Sequence, residues 1–323
     1  VRSGGSTATS LSGQDPAQYV RHALHSPERS YAETNCYADV IVELLHACGY
    51  EPLALFAHVV RMDFEGDQWT FFKPPPEDLE LLFGIDIHEM NPYRPLPRQI
   101  AEQLERGRTL IVELDAFHLP DTASTSYRQE HVKTSVAMDA IDPDAERLHY
   151  FHGPGMFSLE GEDYRGVFRI GDFSADVLPP YAELVRFDAG PRLEGAALRE
   201  ASRETLRRNL RHRPADNPVE RFGDALVSEL PALRAADLED YHAYAFATVR
   251  ILGSGFEALG SYVDWLFGDG GRAAAEPLAE VVDASKALSF RLARRREFDP
   301  EELLSRLASG WSRALDALTE MAA

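Results

Sequence analysis

Lysine, cysteine and long apolar runs are scarce in this chain, and each scarcity removes a class of function. Only two cysteines, Cys36 and Cys48, occur in 323 residues. A disulfide framework and a four-cysteine zinc site are therefore excluded, and any cysteine chemistry rests on single thiols. Just three of the 33 basic residues are lysines, Lys73, Lys133 and Lys286, a bias that implies no function by itself. The basic residues are outnumbered by 53 acidic ones, giving a net charge of -20, which argues against nucleic acid or an anionic membrane as the main partner. No stretch approaches the ~18 apolar residues of a membrane span, and the basic-then-apolar order of a signal peptide is missing, so a cytoplasmic protein is expected.

What is present suffices for a folded protein: 44% of residues are hydrophobic and 10% aromatic, enough for one large or two ordinary domains. Residues 1–15, rich in Ser, Gly and Thr, are expected to form a disordered leader. Residues 16–180 read as mixed α+β and 181–323 as a helical bundle. The first clear helix runs from Cys36 to Cys48, with Val40, Ile41, Leu44 and Leu45 on one stripe, Thr34 and Asn35 to cap it and Gly49 to stop it. Beyond it, residues 53–61 are ambiguous between helix and strand and 68–73 read as a short strand before three prolines. Segments 77–83 and 97–105 read as helices, 85–88 and 109–115 as strands. Residues 132–141 and 148–152 form a hairpin over the turn 142–146. After Pro179-Pro180, the segments 193–211, 218–236, 238–267, 273–296 and 300–321 are long, Ala/Leu-rich and helically periodic.

A thiol in the first turn of a helix feels unpaired backbone N–H groups and the positive dipole end, both of which favour thiolate. Cys36 is therefore the candidate nucleophile, its backbone N–H and the Asn35 side chain candidate oxyanion donors. His131, opening a hairpin strand after a polar loop, is the candidate base, expected within hydrogen-bond reach of Cys36, with His118 in reserve. Asp115 and His152 are the alternatives for the third member, and Asp142 is a turn residue too far along the strand. No metal is expected: His149 and His152 are three residues apart on a strand and so point to opposite faces. The run 65–73 concentrates pocket chemistry, with Asp67, Gln68 and Trp69 the candidate substrate-binding residues. Arg199, Arg203, Arg207 and Arg211 recur every four residues as a cationic ridge, either a docking surface or a solvated face paired with Glu200 and Glu204.

Five motifs extend these readings: Glu33-Thr34-Asn35-Cys36-Tyr37, the aromatic run 66–73, the strand and acidic loop 112–122, His131-Val132-Lys133-Thr134 and Tyr150-Phe151-His152-Gly153. Together, and with His242-Ala243-Tyr244-Ala245-Phe246 in the helical half, they resemble a bacterial family catalogued as domain of unknown function 1839. The first half also resembles papain-fold acyltransferases of butirosin biosynthesis and, more distantly, bacteriocin-leader peptidases. Cys36 and His131 fall on the catalytic positions of those relatives, whereas His152 stands where they carry an acidic residue. The resemblance implies a papain-like α+β domain followed by a helical bundle. It also implies a cysteine-dependent acyltransferase that takes an aminoacyl group from a carrier protein's phosphopantetheine thioester to a small amine or hydroxyl acceptor, with no cofactor of its own. A hydrolase of the same fold, peptidase or thioesterase, and a non-catalytic ligand-binding protein are the alternatives.

Overall fold

The computed structural model describes residues 9–171 and 179–323. The chain divides into two units that do not follow the simple boundary expected near residue 180. One comprises the described residues up to Ala23 together with Cys36–Pro52 and Leu79–Arg192, the other Leu24–Asn35, Leu53–Asp78 and Leu193–Ala323.

The first unit is built on six antiparallel strands: β1 (Asp86–Met90), β2 (Thr109–Asp115), β3 (Lys133–Asp142), β4 (Arg147–His152), β5 (Gly155–Glu160) and β6 (Ala182–Arg186). They lie in the order β1-β6-β2-β3-β4-β5. Helices α1 (Cys36–Ala47), α3 (Leu96–Leu104) and α4 (Gly161–Val167) belong to this unit, and α2 (Pro76–Phe83) spans the boundary. β3 is buried from Thr134 to Ile141 because both faces are covered, which is why Val136, Ala137 and Met138 follow one another where a half-exposed strand would alternate. Its side chains nevertheless divide by parity. Val136 and Met138 join Leu110, Val112, Leu114 and the α3 residues Leu96, Ile100 and Leu104 in one cluster. Ser135 and Ala137 face the other way, toward α1, where Val40, Ile41, Leu44 and Leu45 are all 2% exposed or less. Burying each such side chain contributes at most ~1.5–3 kcal/mol, so this stripe fixes which way α1 faces.

In the second unit, α5 (Gly195–Leu210), α6 (Pro218–Ala235), α7 (Leu238–Ala245), α8 (Ile251–Phe267), α9 (Arg272–Ala293) and α10 (Glu301–Ala322) form the expected helical region. Asn217 caps α6 by accepting from the Val219 N–H at 2.9 Å. α10 packs closely on α9: a side chain at Gly310 would come within 2.8 Å of Val281 Cγ2 and 3.1 Å of the Pro277 carbonyl, so only glycine permits this approach.

Several expectations are corrected. The leader is not wholly without order: Ser10 bridges Ala140, its hydroxyl donates to the buried Asp139 at 2.7 Å, and the Ser12 N–H donates to the same carboxylate. Residues 1–8 of the expected leader lie outside the described residues. Residues 53–61 are neither α nor β; Pro52–Arg61 is a 3-10 stretch whose packing is apolar nearly all round. The run 68–73 makes no strand beyond a single Phe64–Trp69 bridge. Its backbone is satisfied elsewhere, Trp69 N–H by the Ala247 carbonyl and Thr70 N–H by the Asp63 carbonyl. The bundle does not begin at 181, since β6 completes the sheet between β1 and β2. The expected helix 238–267 is broken by a π-helical turn, Phe246–Arg250.

Candidate active site

Cys36 opens α1, and its half-buried Sγ lies 3.8 Å from the Ser135 hydroxyl on β3. The next residue, Tyr37, donates its O–H to Glu183 Oε2 at 2.7 Å, and Tyr181 donates to the other oxygen at 2.9 Å. Burial, reinforced by the Glu183 charge, holds the Tyr37 phenol far above its ordinary pKa, so it is a fixed donor here and not a base. Asn35 is buried, and its amide donates to the Phe72 carbonyl at 3.1 Å. At least one of its two N–H groups is thus committed to the backbone instead of an oxyanion.

His131 and Asp115 do come together. Nδ1 of the ring lies 2.7 Å from Asp115 Oδ2, while Oδ1 of the same carboxylate accepts from the Phe117 N–H at 3.1 Å. The ring stacks on Phe117, centroids 4.4 Å apart and planes 14° from parallel. One carboxylate therefore fixes the imidazole and ends the strand, and the ring keeps its Nε2 edge outward, with 71% of the side chain exposed. Asp115 pairs with Lys133, and Glu113 with Ser135. Alternation then puts Lys133 and Ser135 on the face that Cys36 touches, and the bond to Asp115, the partner of Lys133, holds His131 on that face too.

The expected contact between nucleophile and base is absent. Among the described residues the Cys36 thiol bonds Ser135 and the His131 ring bonds Asp115, and no hydrogen bond joins the two. His131 precedes Ser135 by four residues, roughly 13 Å of extended strand. The ion pair between Lys133 Nζ and Glu113 Oε1, 2.6 Å, occupies the interval. Parity was legible in the sequence; the position of Cys36 along β3, set by how far α1 slides over the sheet, was not.

His152 belongs to a different constellation, on the opposite face. Its Nδ1 lies 2.5 Å from Asp121 Oδ2 and its Nε2 lies 2.8 Å from Thr134 Oγ1. The Tyr150 O–H donates to the other Asp121 oxygen. Burial and the adjacent Asp121 charge hold that phenol protonated well above its usual range. His152 thus does not orient His131. Asp121 was missed in the sequence, where Pro120-Asp121-Thr122 reads as ordinary turn chemistry. His118, the reserve base, is packed beneath α4, where a side chain at Gly166 would lie 2.2 Å from its Nδ1. Burial lowers its pKa.

Asp67 and Gln68 stand in an exposed turn around Gly66, whose φ is 100°. Trp69 is buried against Phe64 and Phe222. The cleft in this region lies one step further on, along Thr70 to Glu77, and includes His58. The arginine ridge of α5 is largely committed: Arg199 lies over the Trp265 ring, Arg203 pairs with Glu200, and Arg207 pairs with Glu204. No described helix is long and apolar enough to cross a membrane.

Comparison with known proteins gives two family matches. The DUF1839 N-terminal domain matches residues 20–187 and the DUF1839 C-terminal domain residues 195–320. No curated protein matches the chain significantly. The junction between the two matches falls after β6, which assigns that strand to the N-terminal domain.

Proposed function

Because the chain belongs to the DUF1839 family across both its domains, we propose that it is a cysteine-dependent acyltransferase of papain-like type. Its substrate is an aminoacyl group carried as a phosphopantetheine thioester on a carrier protein, and its acceptor a small amine or hydroxyl. The observation that supports this most is the placement of Cys36, first residue of α1, on the sheet face that also carries the Asp115-oriented His131.

In this reading the Cys36 thiolate attacks the thioester carbonyl carbon, a new C–S bond forms, and the carrier's pantetheine sulfur leaves as a thiolate that takes up a proton. The acceptor then attacks the acyl-cysteine, its proton passing to His131 Nε2 while Cys36 departs as thiolate. The second step requires the turn segment 123–132, which lies outside regular structure, to carry His131 toward Cys36. Asp115 stabilises the imidazolium so formed.

Intact-mass analysis after mixing with aminoacyl carrier proteins tests the first step: an acyl adduct is expected on the wild-type chain and none on Cys36→Ala. The missing Cys36–His131 hydrogen bond favours a second reading, a non-catalytic ligand-binding protein of the same fold. Thiol labelling separates them. Burial pushes the Cys48 thiol up to about 12, so Cys48 stays slow in both readings, and the reference is free glutathione: iodoacetamide at neutral pH should alkylate Cys36 at least ~10-fold faster than glutathione in an enzyme. Comparable rates favour the binding protein.

A further inference from the structure

The 3-10 stretch Pro52–Arg61 carries one histidine, His58, among side chains that are apolar up to the closing Arg61. His58 is 4% exposed, stacked beside Phe56 and inclined to Phe72. Its Nδ1 lies 2.8 Å from the Leu55 carbonyl. A carbonyl oxygen only accepts, so Nδ1 carries the proton and Nε2 is left as a bare acceptor. That Nε2 is buried and has no hydrogen-bond partner among the described residues. Buried polar atoms are seldom left so, and one that borders a cavity calls for a ligand.

His58 lines a cleft of about 600 Å³, within the range of small-molecule sites. Met62, Phe72 and the prolines 74–76 form its apolar wall, Thr70 adds a hydroxyl, and the charged groups on it are Arg61, Lys73 and Glu77. Arg61 makes no ion pair among the described residues, and its planar guanidinium fork matches a carboxylate. Burial, with Arg61 adding to it, pushes the His58 ring down to about 4. The ring is therefore neutral at pH 7 and suits a neutral O–H or N–H donor, not another acceptor.

We propose that this cleft binds a small, partly apolar carboxylate that donates an O–H or N–H to His58 Nε2 while Arg61 receives its carboxylate. All the residues involved belong to one unit, and the site stands whether or not Cys36 reacts.

Three probes separate the contributions: 3-phenyllactate has carboxylate, hydroxyl and ring, 3-phenylpropionate lacks the hydroxyl, and 2-phenylethanol lacks the carboxylate. Calorimetric titration of the full chain should show 3-phenyllactate binding about tenfold more tightly than either truncated probe. In His58→Phe the preference over 3-phenylpropionate should vanish, and in Arg61→Gln the preference over 2-phenylethanol should shrink. If His58→Phe does not fold, nitrogen NMR of the wild-type ring replaces it: the Nε2 resonance should move with 3-phenyllactate and stay still with 3-phenylpropionate. Equal affinities for the three probes, no binding of any of them, or an unmoved Nε2 resonance would overturn the proposal.

Discussion

Besides the His88–Asp86 pair on β1, the sheet carries histidine–aspartate pairs on opposite faces, His131–Asp115 and His152–Asp121, that use the same ring atom in opposite surroundings. In His131–Asp115 the imidazole side chain is 71% exposed, whereas in His152–Asp121 the two side chains are 13% and 5% exposed. The buried pair is closed at both ends, by Tyr150 on the carboxylate and by Thr134 on Nε2, so no atom of it is left for a substrate. The exposed pair is closed at one end only. Identical pairing chemistry thus serves as a fastener where water is excluded and, in the proposed reaction, as an oriented base where water is admitted. Exposure and the fate of the second nitrogen tell them apart, and the pairing itself does not.

Each face can be broken separately. The largest effect is expected from His131→Ala, which in the proposed reaction should lower kcat/KM by ~10²–10⁴ while leaving the thermal midpoint nearly unchanged. A loss of stability instead would make the two pairs alike. Asp121→Ala should do the reverse: it strands a buried imidazole and a buried phenol, costing about 3–5 kcal/mol in urea unfolding. Its activity should fall only in step with the folded fraction.

His58 sharpens the contrast, being a buried histidine that pairs with no carboxylate among the described residues. In the unfolded chain it takes up a proton near its ordinary 6.5, and in the folded chain only near 4. The folded form therefore binds fewer protons between those values, and stability is present above pH 6.5 and lost as pH falls toward 4. The contribution reaches about 3 kcal/mol. His58→Phe should flatten that part of a stability–pH curve; an unchanged curve would mean the ring is protonated in the folded protein. The smallest effect on stability belongs to Asp115→Ala, less than ~1 kcal/mol because its partner is largely in water. Under the proposed mechanism it should nonetheless slow turnover, since His131 loses its orientation.

The elements that position the exposed pair were readable before any coordinates. Thr109–Asp115 is the strand expected, Cys36 opens the helix that its cap and stripe define, and the hairpin turns at Asp142 as its composition dictates. What could not be read is lateral: which strand lies beside which, and how far α1 slides along β3. Periodicity fixes the face of a side chain and is silent about its neighbour on another element. For that reason Asp115 could be proposed for His131, while Asp121, brought to His152 across the sheet, was passed over. His58 left a signal that was not used, a lone imidazole in residues 53–60, which are apolar at every other position.

The place of β6 governs the order in which the sheet can be completed. Residues 182–186 insert between β1 at 86–90 and β2 at 109–115, so one long edge of β2 waits for chain about 70 residues downstream. Until that segment emerges from the ribosome, β1 has no neighbouring strand and β2 presents unpaired backbone N–H and C=O groups that invite pairing with other chains. A fragment ending at residue 180, although it would contain Cys36, His131 and Asp115, should therefore be prone to aggregate, and one extended beyond Arg186 should stay in solution.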